Sequence, residues 1–164
     1  MPTFRRLLCA TLATLTLLPG LAAAEPSAIY LVRHGEKLAG QDPDLTPRGL
    51  VRAQHVAAIL HRAGITAIFS TKTARTLQTA APLAQQTGLT VQIYDPLAPK
   101  ALVEQVRSLS GAVVVVGLSN TLPELVKLFG GAPGSDIADD EFDRLYQLLP
   151  APNGQVKTIL LGTP

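Results

Sequence analysis

The chain is poor in cysteine and in uncompensated charge, and both shortages narrow what it can be. Its single cysteine is Cys9, and Lys+Arg exceed Asp+Glu only by 14 to 12. Cys9 lies in an N-terminal stretch with the marks of a secretory signal peptide. These are Arg5 and Arg6, an apolar core from Leu7 to Leu18, a Pro19-Gly20 break and the small residues Ala22-Ala23-Ala24. That core falls short of the ~20 apolar residues a membrane span requires. Cys9 stands at the start of the core, away from the cleavage site, which argues against a lipoprotein signal. The expectation is a signal peptide over 1–24 and one domain over 25–164, exported to the periplasm without a membrane anchor. The export route, general or twin-arginine, stays open.

Cleavage after Ala24 leaves 140 of the 164 residues, enough for one core. It also removes Cys9, so disulfides and thiol nucleophiles are excluded from the mature chain. Arg5 and Arg6 leave with the signal, and the remaining 12 basic residues balance 12 acidic ones. A chain without basic excess offers nothing to a nucleic-acid backbone. Internal repeats and long low-complexity segments are missing, and no His/Asp/Glu spacing suggests a metal.

What is present is an alternation of strand and helix patterns. Ile29–Val32 reads as a strand running into a polar loop, 36–45. Thr46 is a helix cap with Pro47 at the first helical position. Leu50, Ala53, Ala57 and Leu60 are the expected buried face of that helix, and Gly64 ends it. Ile65–Phe69 is a second strand. A second helix is expected from about Ser70-Thr71 to Gly88, with Pro82 kinking it. Leu89–Tyr94 is a third strand and Pro99–Leu109 a third helix. "AVVVVG" at 112–117 is the strongest strand pattern. Thr121 and Glu124 have capping-box spacing for a fourth helix. The C-terminal stretch predicts a β-hairpin around Asn153-Gly154. Together these predict an α/β protein, a three-layer αβα sandwich with a mostly parallel sheet and a C-terminal hairpin.

Chemistry-bearing residues gather at the expected strand ends. The first strand delivers Arg33-His34. The second leads into "STKTARTLQTA", with Arg75 in the first turns of a helix. The fourth leads into "GLSNT", another helix start, which carries Ser119. Helix N-termini with free N–H groups suit phosphate, and two arginines add planar bidentate donors. A histidine beside positive charge stays neutral and nucleophilic. His55 and His61, outside any motif, read as ordinary helix-surface residues.

"RHGEK" at 33–37, "LTPRGLVRA" at 45–53, "STKTARTLQTA" at 70–80 and "VVVVGLSNTLPEL" at 113–125 occur in that order. In these motifs the chain resembles the histidine phosphatase superfamily, which includes the cofactor-dependent phosphoglycerate mutases, over about 28–130. The resemblance implies that His34 attacks a phosphomonoester and becomes a phosphohistidine, later hydrolysed by water. Arg33 and Arg75 would bind phosphate oxygens, the family needs no metal, and no cofactor is expected for this chain. It further implies a small phosphorylated substrate. Mutase activity is not expected, because the long insertions that shape a mutase pocket are missing.

The chain departs from the family at one position. Where relatives carry a second histidine, it has Gly117-Leu118-Ser119, and Leu118 neither donates a hydrogen bond nor carries charge. A weakened phosphatase, a noncatalytic protein holding a phosphorylated ligand such as an envelope sugar, and an active enzyme varied at 118 are the readings left open. The general acid is open as well. Asp95 is the positional candidate, with a turn before Pro96 as its other role, and Glu36 either serves the chemistry or orients its loop.

Overall fold

The valine run forms the centre of the molecule. In the computed structural model, which describes residues 25–164, β4 (Gly111–Gly117) has parallel neighbours on both sides, β1 (Pro26–Arg33) and β2 (Ile65–Ser70). The signal expected over 1–24 lies outside the described residues. A strand covered on both faces needs apolar residues at every position, hence the unbroken Val113–Val116 rather than an alternating pattern. β3 (Val91–Ile93) extends the sheet beside β2, in parallel. β5 (Arg144–Pro150) pairs antiparallel with β1, and β6 (Val156–Gly162) antiparallel with β5, so the order is β3-β2-β4-β1-β5-β6. The expected C-terminal hairpin is present, turning through Gly154 at φ 78°.

Helices cover both faces. α1 (Pro47–Leu60) and α2 (Ala74–Thr87) bring Val56, Ala57, Leu60, Ala80 and Leu83 onto the side of Tyr30, Val32, Ile68 and Val114. α3 (Pro99–Arg107) and α4 (Leu122–Leu128) bring Leu102, Val106, Leu122 and Val126 onto the side of Leu31, Phe69 and Val115. The three layers are those expected. α1, following β1, lies on one face, while α4, following the adjacent β4, lies on the other. The crevice between the ends of these two strands is therefore the switch point, where open α/β sheets place ligands.

Three local expectations need correction. Leu50 is not on the inward face of α1: it is 49% exposed, and Gly49, Arg52, Ala53, Val56, Ala57 and Leu60 are buried instead. The stripe is rotated because Gly49 backs directly onto the loop after β1. α2 starts at Ala74, a turn later than expected, because Ser70 belongs to β2 and Thr71 Oγ1 bonds Thr76 Oγ1 (2.9 Å) before the helix begins. The Thr121–Glu124 capping box does not form. The Leu118 carbonyl accepts from the Thr121 and Leu122 N–H groups, and Thr121 Oγ1 reaches back to the Leu118 N–H (3.2 Å). Thr121, the residue before α4, therefore makes no side-chain cap bond, and the turn ahead of it opens at Leu118, whose side chain has no acceptor to offer. The other helix start behaves as its sequence indicates: Thr46 Oγ1 accepts from the Gly49 N–H (3.1 Å), with Pro47 at the first position.

Candidate active site

The loop after β1 is held from several directions. The His34 N–H donates to the Gly117 carbonyl (3.1 Å), tying the end of β1 to the end of β4. The Gly35 N–H donates to Thr79 Oγ1 (3.0 Å) on α2. Gly35 also packs against the backbone of α1: a Cβ at 35 would stand 2.7 Å from the Gly49 carbonyl oxygen. The Glu36 carboxylate accepts from Arg52 Nη2 (2.7 Å) and Nε (3.0 Å), with Arg48 Nε at 3.0 Å. The Arg52 side-chain hydrogen bonds, first among its causes, hold the Glu36 carboxyl below the usual range. Glu36 is thereby an ionised fastener of the loop and an unsuitable proton donor.

His34 is 3% exposed. Its Nδ1 lies 2.7 Å from the Gly35 carbonyl, so Nδ1 carries the proton and Nε2 keeps its lone pair. Burial, reinforced by Arg33, Arg75 and Lys37 and opposed by the Gly35 carbonyl, pulls its pKa from 6.5 to about 4. At neutral pH the ring is uncharged, with its Nε2 lone pair available beside fixed cations.

Arg33 shows a feature with no signature in the sequence. The segment 135–143 runs across the end of β1, and its carbonyls take up one edge of the guanidinium. Nη1 donates to Ala138 O (2.7 Å) and Glu141 O (2.6 Å), and Nη2 to Asp139 O (3.0 Å). The guanidinium carbon sits 4.1 Å from the Phe142 ring centroid, and the same ring is 6.0 Å from the His34 ring. Burial lowers the Arg33 pKa, with Asp139 and Glu141 opposing.

Arg75 enters from the start of α2. Its charge, like that of Arg33, acts on His34, and the two arginines act on each other. The helix N-terminus beside it already has an anion: Asp42 Oδ1 accepts from the Ala74 N–H (3.0 Å) and lies 3.5 Å from Arg75 Nη1. Among the described residues, three buried side-chain N or O atoms lack a hydrogen-bond partner. Two of them are Nε of Arg33 and Nε of Arg75; the third is the Tyr94 hydroxyl, near Gly117.

The β4 end supplies less. Leu118 and Ser119 are half-buried, and Ser119 lines an open cleft with Asn120, Asp136 and Asp139. Asp95 shows the turn role that was its other expectation. It follows β3, three strand positions from β1, or about 14 Å at ~4.8 Å per spacing. It is exposed, and its Oδ1 accepts from the Leu97 N–H (2.9 Å), which is the turn role. His55 and His61 sit toward the solvent side of α1, bonded to the Pro164 and Ala58 carbonyls respectively. No cluster of potential metal ligands occurs among the described residues. Sequence reasoning missed Phe142, Glu141 and Arg144, whose contacts to β1 or to one another follow from tertiary placement.

Fold and site together define an α/β protein that gathers a neutral histidine and two arginines at the switch point of a parallel sheet. The family model of the histidine phosphatase superfamily (branch 1) matches residues 29–99. The chain is 45% identical over 76 residues to "Probable phosphoglycerate mutase GpmB" of Proteus mirabilis, covering 42% of this chain and 35% of that protein. The protein of the same name from Yersinia pestis is 42% identical over 76 residues, with the same coverage. The match spans about a third of the length of these curated relatives. Among solved structures, mycobacterial glucosyl-3-phosphoglycerate phosphatase with inorganic phosphate superposes with a TM-score of 0.61 at 16% identity, covering 82% of this chain and 95% of that one. Phosphoserine phosphatase from Entamoeba histolytica in complex with 3-phosphoglyceric acid gives 0.59 at 15% identity, covering 84% and 97%. At such identities the likeness speaks for the fold. Over residues 29–99 the chain is thus of the histidine phosphatase superfamily.

Proposed function

We propose that the protein hydrolyses small phosphomonoesters through a phosphohistidine on His34, at a rate reduced by Leu118. His34 Nε2 attacks phosphorus, the bond to the leaving oxygen breaks, and the released alkoxide takes a proton from water. A water then attacks the phosphohistidine, the N–P bond breaks, and inorganic phosphate leaves. Arg33 and Arg75 hold the phosphate oxygens, with Ser119 as a further donor at the β4 end. The observation that carries this reading is the pair of buried, unpartnered Nε–H groups, on the two arginines whose charges act on a neutral histidine. Such donors are costly to bury unless something accepts from them, and an anion satisfies both. The names of the structural neighbours support a small phosphorylated substrate. The N-terminal signal pattern supports action in the periplasm.

A second reading is a noncatalytic protein that holds a phosphorylated ligand such as an envelope sugar. It draws on Leu118 and on the turn role of Asp95, which leave the leaving group without an evident proton donor. Incubation with an aryl phosphate, whose leaving group needs no proton, separates the two. The phosphatase reading expects turnover and an acid-labile, base-stable phosphoryl adduct on His34. Both should vanish in His34→Ala and persist in His55→Ala and His61→Ala. Hydrolysis undiminished in a folded His34→Ala protein would refute the mechanism. Phosphate binding without turnover would favour the second reading.

A further inference from the structure

A guanidinium has five N–H groups arranged along fixed edges. In Arg33 the two protons on Nη1 and one on Nη2 go to the Ala138, Glu141 and Asp139 carbonyls. What remains is Nε–H, buried and without a partner, and the other Nη2 proton beside it. These two form one edge of the plane, the side-on pair that grips two oxygens of a phosphate in parallel. The partners on the occupied edge are neutral carbonyls. They fix the orientation of the group through uncharged acceptors, while the Asp139, Glu141 and Asp140 carboxylates act on it only through space.

The carbonyls are themselves held. The Glu141 carboxylate accepts from Arg144 Nε and Nη2 and from the Ala138 N–H. Arg144, 8% exposed at the start of β5, also donates through Nη1 to Ser135 O (2.6 Å) and Tyr146 Oη (2.9 Å). The Tyr146 hydroxyl donates to Pro133 O (2.6 Å). A chain of contacts therefore runs from the sheet through Arg144 and Glu141 to the three carbonyls and on to Arg33. Phe142, next to Glu141, lies against the guanidinium face.

We infer that Glu141 and Arg144 are positioning residues for Arg33: they shape the 135–143 segment so that its carbonyls hold one guanidinium edge and leave the Nε–Nη2 edge for the substrate phosphate. The inference rests on the phosphate-site reading above. It adds a role for two residues outside every motif of the chain, and it explains why the arginine, already bonded to three carbonyls, still has a buried free donor.

The test is a double-mutant cycle between positions 33 and 141, read as the affinity of the full chain for inorganic phosphate by titration calorimetry. Glu141→Ala in the native background should weaken binding about tenfold, the size expected for one misdirected charge-assisted contact. In an Arg33→Lys background the same substitution should change affinity less than about twofold, because an ammonium has no edge to aim. A merely structural role predicts equal weakening in both backgrounds, and that result, or no weakening in either, overturns the proposal. Should Glu141→Ala fail to fold, Arg144→Lys enters the same cycle, since it keeps the charge and loses the fork that holds Glu141. A native protein that binds no phosphate overturns the phosphate-site reading, and this proposal with it. A native protein that binds phosphate but shows no coupling overturns the positioning role alone.

Discussion

The two halves of the site are built to different standards. At the β1 end, Arg33, His34, Gly35 and Glu36 are held by α1, α2, β4 and the 135–143 segment, and most of their polar groups have named partners. At the β4 end, the 118–121 turn is closed by its own backbone and one threonine hydroxyl, and Leu118 brings it an apolar side chain. Position 118 is nonetheless close to His34, since Gly117 pairs with Arg33 and accepts from the His34 N–H. The comparison teaches that a densely bonded strand end can stand beside a sparsely bonded one, because the two depend on different contacts.

The largest effect should come from refurnishing the poorer half. On the reading proposed above, Leu118→His places a donor on a half-buried turn where little core packing is at stake. A kcat/KM gain of at least ~10² on an aryl phosphate is expected, the magnitude usual for one transition-state donor. No gain in a folded variant would count against the role proposed for position 118.

Next is the titration of His34, which reports how strongly the richer half controls its nucleophile. Its NMR midpoint should fall near 4 in place of 6.5. Because the folded pKa is the lower one, the fold favours the neutral ring. The stability this brings is whole above pH 6.5 and declines as pH drops from there through about 4. A midpoint near 6.5 would show that the ring is neither buried nor surrounded by cations as described.

The smallest expected effect comes from loosening the richer half. Gly35→Ala sets a methyl group 2.7 Å from the Gly49 carbonyl oxygen, a backbone atom that cannot swing aside. A loss of about 1–3 kcal/mol in urea unfolding is expected for such overpacking, while a methyl at exposed Gly162, with nothing near its Cβ position, should cost far less.

Much of this was legible in the sequence, for identifiable reasons. The Val113–Val116 run has one sensible environment, and Thr46-Pro47 combines two local signals that agree. Arg33, His34 and Arg75 were found because strand ends and helix starts are marked locally and the family motifs fall on them. The contacts of Arg33 to 138–141 were not legible, because the acceptors are backbone carbonyls and any residue type supplies those. Leu50 was misplaced because the close approach of Gly49 to the Glu36 backbone turns α1, and no hydrophobic pattern records that. The Thr121–Glu124 spacing was genuine, yet the turn begins three residues earlier, where the Leu118 carbonyl is free to accept. Asp95 has a turn contact, to the Leu97 N–H, that its place before Pro96 makes legible in the sequence.

The partners of Arg33 are 105 to 108 residues away along the chain. A polypeptide made from its N-terminus has β1, β2 and β4 in hand, with His34 and both arginines, well before Glu141 exists. The half of the site that ends up most firmly held is therefore the last to be finished. Long-range closures of this kind are slow steps in assembly. Until β5 docks beside β1, the growing chain carries a bare guanidinium and an uncovered imidazole, so a completed site is also a record that the whole domain has folded.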